Sequence, residues 1–160
     1  MTVMKLIVLV LAAMPCVAQL QEVSMRTDGL NCASCALSLP RALMKIKGVE
    51  KAVFQQGVVE LKLAAKNDVS LDRVRDELKR VGYTPLEAQV RVRGRLRKNE
   101  KDWYLEVEGQ ERLFGVELAL EPGLPGRLMD VEGIVSPKRP NALETMAVRS
   151  LTPVEEAAKP

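Results

Sequence analysis

The stretch Gly29-Leu30-Asn31-Cys32-Ala33-Ser34-Cys35 places two cysteines between a predicted strand and a predicted helix. Before it, residues 21–27 alternate in polarity, with Val23 and Met25 on one face, as is typical of a strand. After it, apolar side chains recur at helical spacing until Gly48, which is predicted to end the helix in a left-handed conformation. The apolar positions of this helix are Ala36, Leu39, Leu43 and Ile46, and Pro40 predicts a kink within it.

A hairpin, a second helix and a further strand are predicted beyond Gly48. Residues 49–63 alternate in polarity on both sides of a turn at Gln56-Gly57. Ser70 is a favourable N-cap for a helix whose apolar stripe extends over residues 71–81. Residues 86–90 then alternate again. The resulting order, β-α-β-β-α-β, is that of a split ferredoxin-like unit, so the predicted fold class is α+β.

Only strands are predicted after residue 89. Apolar and polar residues alternate in five segments that are separated by turn residues, from residues 90–97 to residues 145–151. Five short strands of this kind predict a small OB-like β-barrel with its own hydrophobic core. Because no flexible linker precedes them, the last strand of the first unit is expected to run into the first strand of the second.

The first 18 residues are predicted to be a secretory signal peptide. Lys5 gives a positive start, residues 6–13 form an apolar run, and Cys16-Val17-Ala18 supplies small residues before a cleavage position. A retained membrane anchor is the alternative. Cleavage near Ala18 predicts a periplasmic or secreted protein. The predicted domains are a signal peptide (1–18), a ferredoxin-like domain (19–88), an OB-like β domain (89–152) and a loose tail (153–160).

The composition excludes several classes of site. The chain has 160 residues and no histidine, which excludes Ser-His-Asp and Cys-His catalysis and zinc sites that need histidine. The net charge of +3 gives no reason to expect nucleic acid as a partner. Cleavage would remove Cys16 and leave Cys32 and Cys35, whose disulfide would close a very short loop and stabilise the chain little. Thiol chemistry and metal binding both explain this pair better than a structural cross-link.

Residues 21–90 resemble the heavy-metal-associated domain family, which is found in copper chaperones, copper-transporting ATPases and periplasmic mercury-binding proteins. That family carries Gly-Met-x-Cys-x-x-Cys where this chain has its cysteine pair, and Gly48-Val49 and Val81-Gly82-Tyr83 also match its pattern. Leu30 replaces the family's methionine, and Pro40 stands where a charged helix residue is usual. The resemblance implies a ferredoxin-like fold. The site residues that it implies are the metal ligands Cys32 and Cys35, with Gly29, Leu30, Asn31 and Tyr83 supporting the metal loop.

The chemistry of the pair agrees with this resemblance. Thiolates are soft ligands that select soft ions, so Cu(I) is expected first, and Hg(II) or another soft divalent ion second. A helix N-terminus favours the thiolate over the thiol. Two ligands leave room for the thiolate of a partner, whereas a closed four-ligand site would hold the ion.

The predicted function is therefore that of an exported, non-enzymatic protein that passes a soft metal ion to a partner. The partner would be a metal-transporting membrane protein or another carrier, and the metal-free protein is expected to be a monomer. One alternative is a thiol-disulfide oxidoreductase that uses the same cysteines. A non-catalytic periplasmic adaptor is the other.

A row of arginines in the second unit has a simpler interpretation. Arg91, Arg93, Arg95 and Arg97 fall on one face of a predicted strand, and Glu106 and Glu108 fall on the same face of the next one. Opposite charges across neighbouring strands stabilise a sheet modestly. The row is therefore predicted to be a solvated, ion-paired face.

Overall fold

A computed structural model describes residues 19–29, 33–100, 102–107, 112–117, 123–137 and 143–155. The predicted signal peptide and residues 156–160 of the predicted tail lie outside these ranges. No helix among the described residues is long and apolar enough to cross a bilayer.

The described elements are two helices and eight strands, an α+β composition. The first six follow the predicted order β-α-β-β-α-β. In chain order the elements are β1 (Gln19–Asp28), α1 (Ala33–Leu43), β2 (Val49–Gln55), β3 (Val58–Leu63), α2 (Leu71–Arg80), β4 (Thr84–Lys98), β5 (Trp103–Val107), β6 (Arg112–Glu117), β7 (Leu128–Val135) and β8 (Glu144–Pro153).

The first four strands form an antiparallel sheet in the order β2-β3-β1-β4. The predicted strand faces are confirmed, since Val23 and Met25 of β1 are buried together with the alternating apolar residues of β3. The buried leucine and valine side chains of both helices belong to the same cluster. Ala36 is the exception, because it is exposed in the first turn of α1 and does not join Leu39 and Leu43 in the core.

β4 belongs to two groups of strands at once. One of its edges pairs first with β1, over residues 84–93, and then with β5, over residues 95–98. Its other edge pairs with β7 over residues 88–95. Further pairings of β5 with β6, β6 with β8 and β8 with β7 complete a ring of five strands, in which only the β6–β8 pair is parallel. The strand therefore crosses the predicted boundary at residues 88 and 89 without interruption.

The expected separate core of the second unit is not found. The buried residues of both units form one cluster, from Leu39 in α1 to Met146 in β8. The reason lies in β4, where Ala88, Val90 and Val92 are all buried on a single continuous face. Their register partners in β7 extend that face directly into the ring.

A bulge in β4 shifts one predicted core position. Between Met25 and Thr27, β1 advances by two residues, whereas their partners in β4, Ala88 and Pro85, are three residues apart. An extra residue on one strand reverses the alternation of its side chains. Pro85 is consequently buried, and Leu86, which the alternating pattern placed in the core, is only half-buried.

The arginine row is ion-paired, although most of the partners differ from those expected. Arg97 pairs with Glu106 on β5 at 2.8 Å, as predicted. Arg91 and Arg93 pair instead with acidic residues of β7, because β7 occupies the other edge of β4 at these positions. The distance is 2.5 Å from Arg91 to Glu132 and 2.6 Å from Arg93 to Asp130. Arg95 donates a hydrogen bond to the Gly126 carbonyl at 3.2 Å. The other expected partner, Glu108, lies outside the described residues.

A buried ion pair joins α2 to the ring. The guanidinium of Arg75 in α2 contacts the carboxylate of Glu144 at the start of β8, and each residue is only 6% exposed. Asp72 accepts a second hydrogen bond from Arg75 at 3.2 Å. Within the described part of the chain, Nε and Nη2 of Arg75 have no hydrogen-bond partner. Loss of Glu144 would therefore leave a largely unpaired cation in the interior.

The outer edge of β2 has no neighbour among the described strands. β2 pairs only with β3, and their register shifts between Val49 and Lys51. Every strand of the ring, by contrast, has a partner on both sides.

Replacing Glu144 by glutamine should lower the free energy of unfolding by about 3 kcal/mol, because it removes the buried counter-charge of Arg75 and leaves only the partly exposed carboxylate of Asp72 beside the cation. Urea denaturation followed by circular dichroism measures this change. Glu87→Gln is the matched control, since Glu87 pairs with Arg26 at an exposed position and should cost less than about 1 kcal/mol. Equal losses in the two variants would contradict the role given to the buried pair.

Candidate functional site

The predicted metal loop connects the end of β1 to the start of α1. β1 ends at Asp28, Gly29 follows with φ +152°, and α1 begins at Ala33. Leu30, Asn31 and Cys32 lie outside the described residues. The backbone of Cys35 lies in the first turn of α1. The structure thus places Gly29 directly after β1 and one cysteine backbone in the first turn of the helix.

Tyr83 lies against the first residue of this loop. A Cβ atom added to Gly29 would be 3.0 Å from Cδ1 of Tyr83, closer than real Cβ contacts normally come. The absence of a side chain at Gly29 therefore allows the tyrosine ring to approach the loop backbone. Tyr83 is only 5% exposed, which makes it a packed residue and not a surface turn residue. The structure brings together these two predicted site residues.

The C-terminus of α2 fixes the backbone of Tyr83. Gly82 has φ +92° and donates to the Lys79 carbonyl at 3.0 Å. The amide of Tyr83 donates to the Leu78 carbonyl at 2.9 Å. This arrangement satisfies two carbonyls at the helix end and turns the chain into β4. The predicted end of the helix at Gly82 therefore also determines where the tyrosine lies.

Phe54 contacts the tyrosine ring, although the sequence carries no direct sign of this role. The ring centroids of Phe54 and Tyr83 are 5.4 Å apart, with an angle of 72° between the ring planes. This edge-to-face geometry is favourable for aromatic pairs. The one available signal was the scarcity of aromatic residues, because the chain has only two phenylalanines.

The β2–β3 turn meets the same end of the sheet. Gln56 and Gly57 have φ values of +51° and +76°, which confirms the predicted tight turn. Thr27 of β1 donates from its amide and from its hydroxyl to the Gly57 carbonyl, at 2.8 and 3.0 Å. The hairpin is thereby attached to β1 two residues before Gly29.

The described side chains offer no further metal-ligand cluster near this loop or elsewhere. No group of three or more histidine, cysteine, aspartate or glutamate side chains is found among them. α1 carries no acidic residue in its first turn, so no carboxylate there disfavours the thiolate form of a cysteine. Met129 and Met146, the thioethers of the ring strands, are buried in the core. The candidate ligands therefore remain the predicted pair, Cys32 and Cys35.

Comparisons with known proteins find a likeness among solved structures. No family model matches the chain, and no curated protein matches it. A crystal structure of a copper binding domain from HMA7, a P-type ATPase, matches with 25% sequence identity and a TM-score of 0.38. The match covers 44% of this chain and 92% of that domain.

Alkaline conditions should destabilise the protein through Tyr83. Burial raises the pKa of the Tyr83 hydroxyl above its ordinary value of 10.0. The unfolded chain therefore loses this proton first, so the stabilisation is complete below about pH 10 and is lost as the pH rises through the folded pKa. Urea unfolding at a series of alkaline pH values should show this fall in the wild type.

Tyr83→Phe should weaken that pH dependence, because phenylalanine has no proton to lose. Tyr104→Phe is the control, and its free energy of unfolding should depend on pH as that of the wild type does. If wild type and Tyr83→Phe lose stability in parallel above about pH 10, burial of the Tyr83 hydroxyl does not cause the loss of stability at alkaline pH.

Proposed function

We propose that this chain binds one soft metal ion between the thiolates of Cys32 and Cys35 and passes it to a partner by ligand exchange. Cu(I) is the first candidate for the ion, and Hg(II) or another soft divalent ion is the second. The ion is cargo, and the protein performs no catalysis. Gly29, Leu30, Asn31 and Tyr83 support the loop.

One observation carries this proposal: the cysteine pair lies at the β1–α1 junction of a four-stranded sheet with two helices. Cys32 precedes α1 directly, and Cys35 falls in its first turn. Backbone amides at a helix N-terminus have no intrahelical acceptor and give a positive local potential. That potential stabilises thiolates, which are the form that binds soft metals.

Transfer requires only exchange of sulfur ligands. A thiolate of the partner forms a bond to the bound ion, which then has three sulfur ligands. The bond between the ion and one of the two cysteines breaks, and the released thiolate remains in this chain or takes a proton from water. Repetition with a second thiolate of the partner completes the transfer. The oxidation state of the ion does not change, so the exchange needs no reductant or oxidant.

The remaining assignments concern location, organisation and partner. Residues 1–18 direct export to the periplasm or the exterior, where the metal-free protein is a monomer. Residues 19–88 form a heavy-metal-associated ferredoxin-like domain, and residues 89–152 an OB-like β domain followed by a loose tail. The five-stranded ring of pairings supports the OB-like assignment. The partner is a metal-transporting membrane protein or another metal carrier, and nucleic acid is not a partner.

Titration of the reduced protein with Cu(I), in competition with a chromophoric chelator, should give one tightly bound ion per chain. Cys32→Ser and Cys35→Ser should each abolish that binding, because each removes one of two ligands. Cys16→Ser, in the unprocessed chain, is the matched control and should bind like the wild type. Unchanged affinity in either variant of the pair would overturn the site. The same titration with Hg(II) and Zn(II) ranks the ions.

Oxidation should block metal binding. A disulfide between Cys32 and Cys35 removes both thiolates, so the oxidised protein should bind Cu(I) only after reduction. The protein should also reduce insulin poorly. Rapid insulin reduction by the wild type, with loss of that activity in Cys32→Ser, would favour a thiol-disulfide oxidoreductase instead.

A further inference from the structure

We propose that Phe54 is a positioning residue for the metal loop, an inference that rests on the proposed metal binding. Phe54 lies on β2, outside the segments that carry the cysteines, and contacts the ring of Tyr83. Through that ring it holds the loop backbone at Gly29 and so increases metal affinity. Its role is indirect, because it supports Tyr83 and supplies no ligand.

The first contact is between the ring of Tyr83 and the start of the loop. The ring atom Cδ1 of Tyr83 comes within 3.0 Å of the position that a Cβ of Gly29 would occupy. Gly29 also adopts φ +152°, a conformation that side chains other than glycine rarely take. The loop therefore leaves β1 in a direction that glycine allows, and it does so against an aromatic surface. If the Tyr83 ring moves, Gly29 loses the contact that confines the first residue of the loop.

The second step concerns the groups that hold the tyrosine ring. The hydrogen bonds from the end of α2 fix the backbone of Tyr83. A fixed backbone still leaves the ring free to change its side-chain torsions unless neighbouring groups restrict it. Phe54 contacts this ring edge-to-face at 5.4 Å. Phe54 is itself half-buried against the core, so it is a stable support.

The third step links the hairpin to the same end of the sheet. Phe54 lies one residue before the end of β2 and directly before the β2–β3 turn. Thr27 attaches that turn to β1 through two hydrogen bonds to the Gly57 carbonyl. Phe54 on β2, Gly29 after β1 and Tyr83 before β4 thus belong to strands of one sheet. Groups that orient metal ligands without touching the metal commonly change affinity by about 10–100-fold when they are removed.

The experiment compares Phe54→Ala with the wild type in two measurements. The first is Cu(I) affinity of the reduced protein in competition with a chromophoric chelator, where Phe54→Ala should bind about tenfold more weakly. The second is the nuclear Overhauser effect between the Gly29 α-protons and the Tyr83 ring protons in the metal-free protein. The wild type should show this effect and Phe54→Ala should lose it.

Three further variants separate positioning from general destabilisation. Phe54→Tyr keeps the aromatic ring and should restore both the affinity and the Overhauser effect. Leu151→Ala truncates another half-buried side chain packed against the core, on β8, and should change neither. Phe54→Leu, which keeps apolar volume without the ring, replaces Phe54→Ala if circular dichroism shows that the alanine variant is unfolded.

The outcomes distinguish this inference from the proposed function. Failure of the wild type to bind Cu(I) or Hg(II) overturns the proposed function and this inference with it. If the wild type binds but folded Phe54→Ala binds equally well, only the inference is overturned. It is also overturned if Leu151→Ala loses as much affinity as Phe54→Ala, or if Phe54→Ala keeps the Overhauser effect.

Discussion

Hydrogen bonding on both edges of β4 is the constraint on which the rest of the structure depends. The 15 residues of this strand complete the sheet beside β1 and also close the ring with β5 and β7. Since one backbone serves both groups, its twist and register fix the orientation of the helices relative to the ring. The single core follows, because the buried face of β4 is continuous. The pair of Arg75 and Glu144 spans the same junction from the helix side.

Local structure could be predicted from the sequence wherever a short segment contains its own determinants. Ser70 accepts a hydrogen bond from the Arg73 amide at 3.2 Å, as expected of an N-cap. Gly82 has positive φ at the predicted end of α2, and the two-residue turn joins the predicted hairpin. Gly48 also has positive φ, but the first helix ends earlier than predicted, at Leu43. Each of these features depends on residues within a few positions of one another. The element order of the first unit was predictable for the same reason.

Features that depend on distant residues were not predictable in this way. Arg75 and Glu144 are separated by 69 positions, and α2 alone gives no sign that its arginine is buried. The bulge that buries Pro85 depends on the register with β1. Phe54 matters only because the fold brings its ring against that of Tyr83, the residue before β4. At the candidate site, the sequence indicated that Gly29 and Tyr83 belong together, but not what supports the tyrosine.

The unpaired outer edge of β2 determines how the sheet could grow. Among the described strands, β2 alone has a neighbouring strand on one side only. A strand edge of this kind is a template for self-association unless something disrupts it. Here the register shift near Lys51 and the exposed charges of Glu50 and Lys51 interrupt the regular ladder. Fibril formation would therefore have to start at the strand that carries Phe54, and concentrated protein should resist it as long as those charges remain.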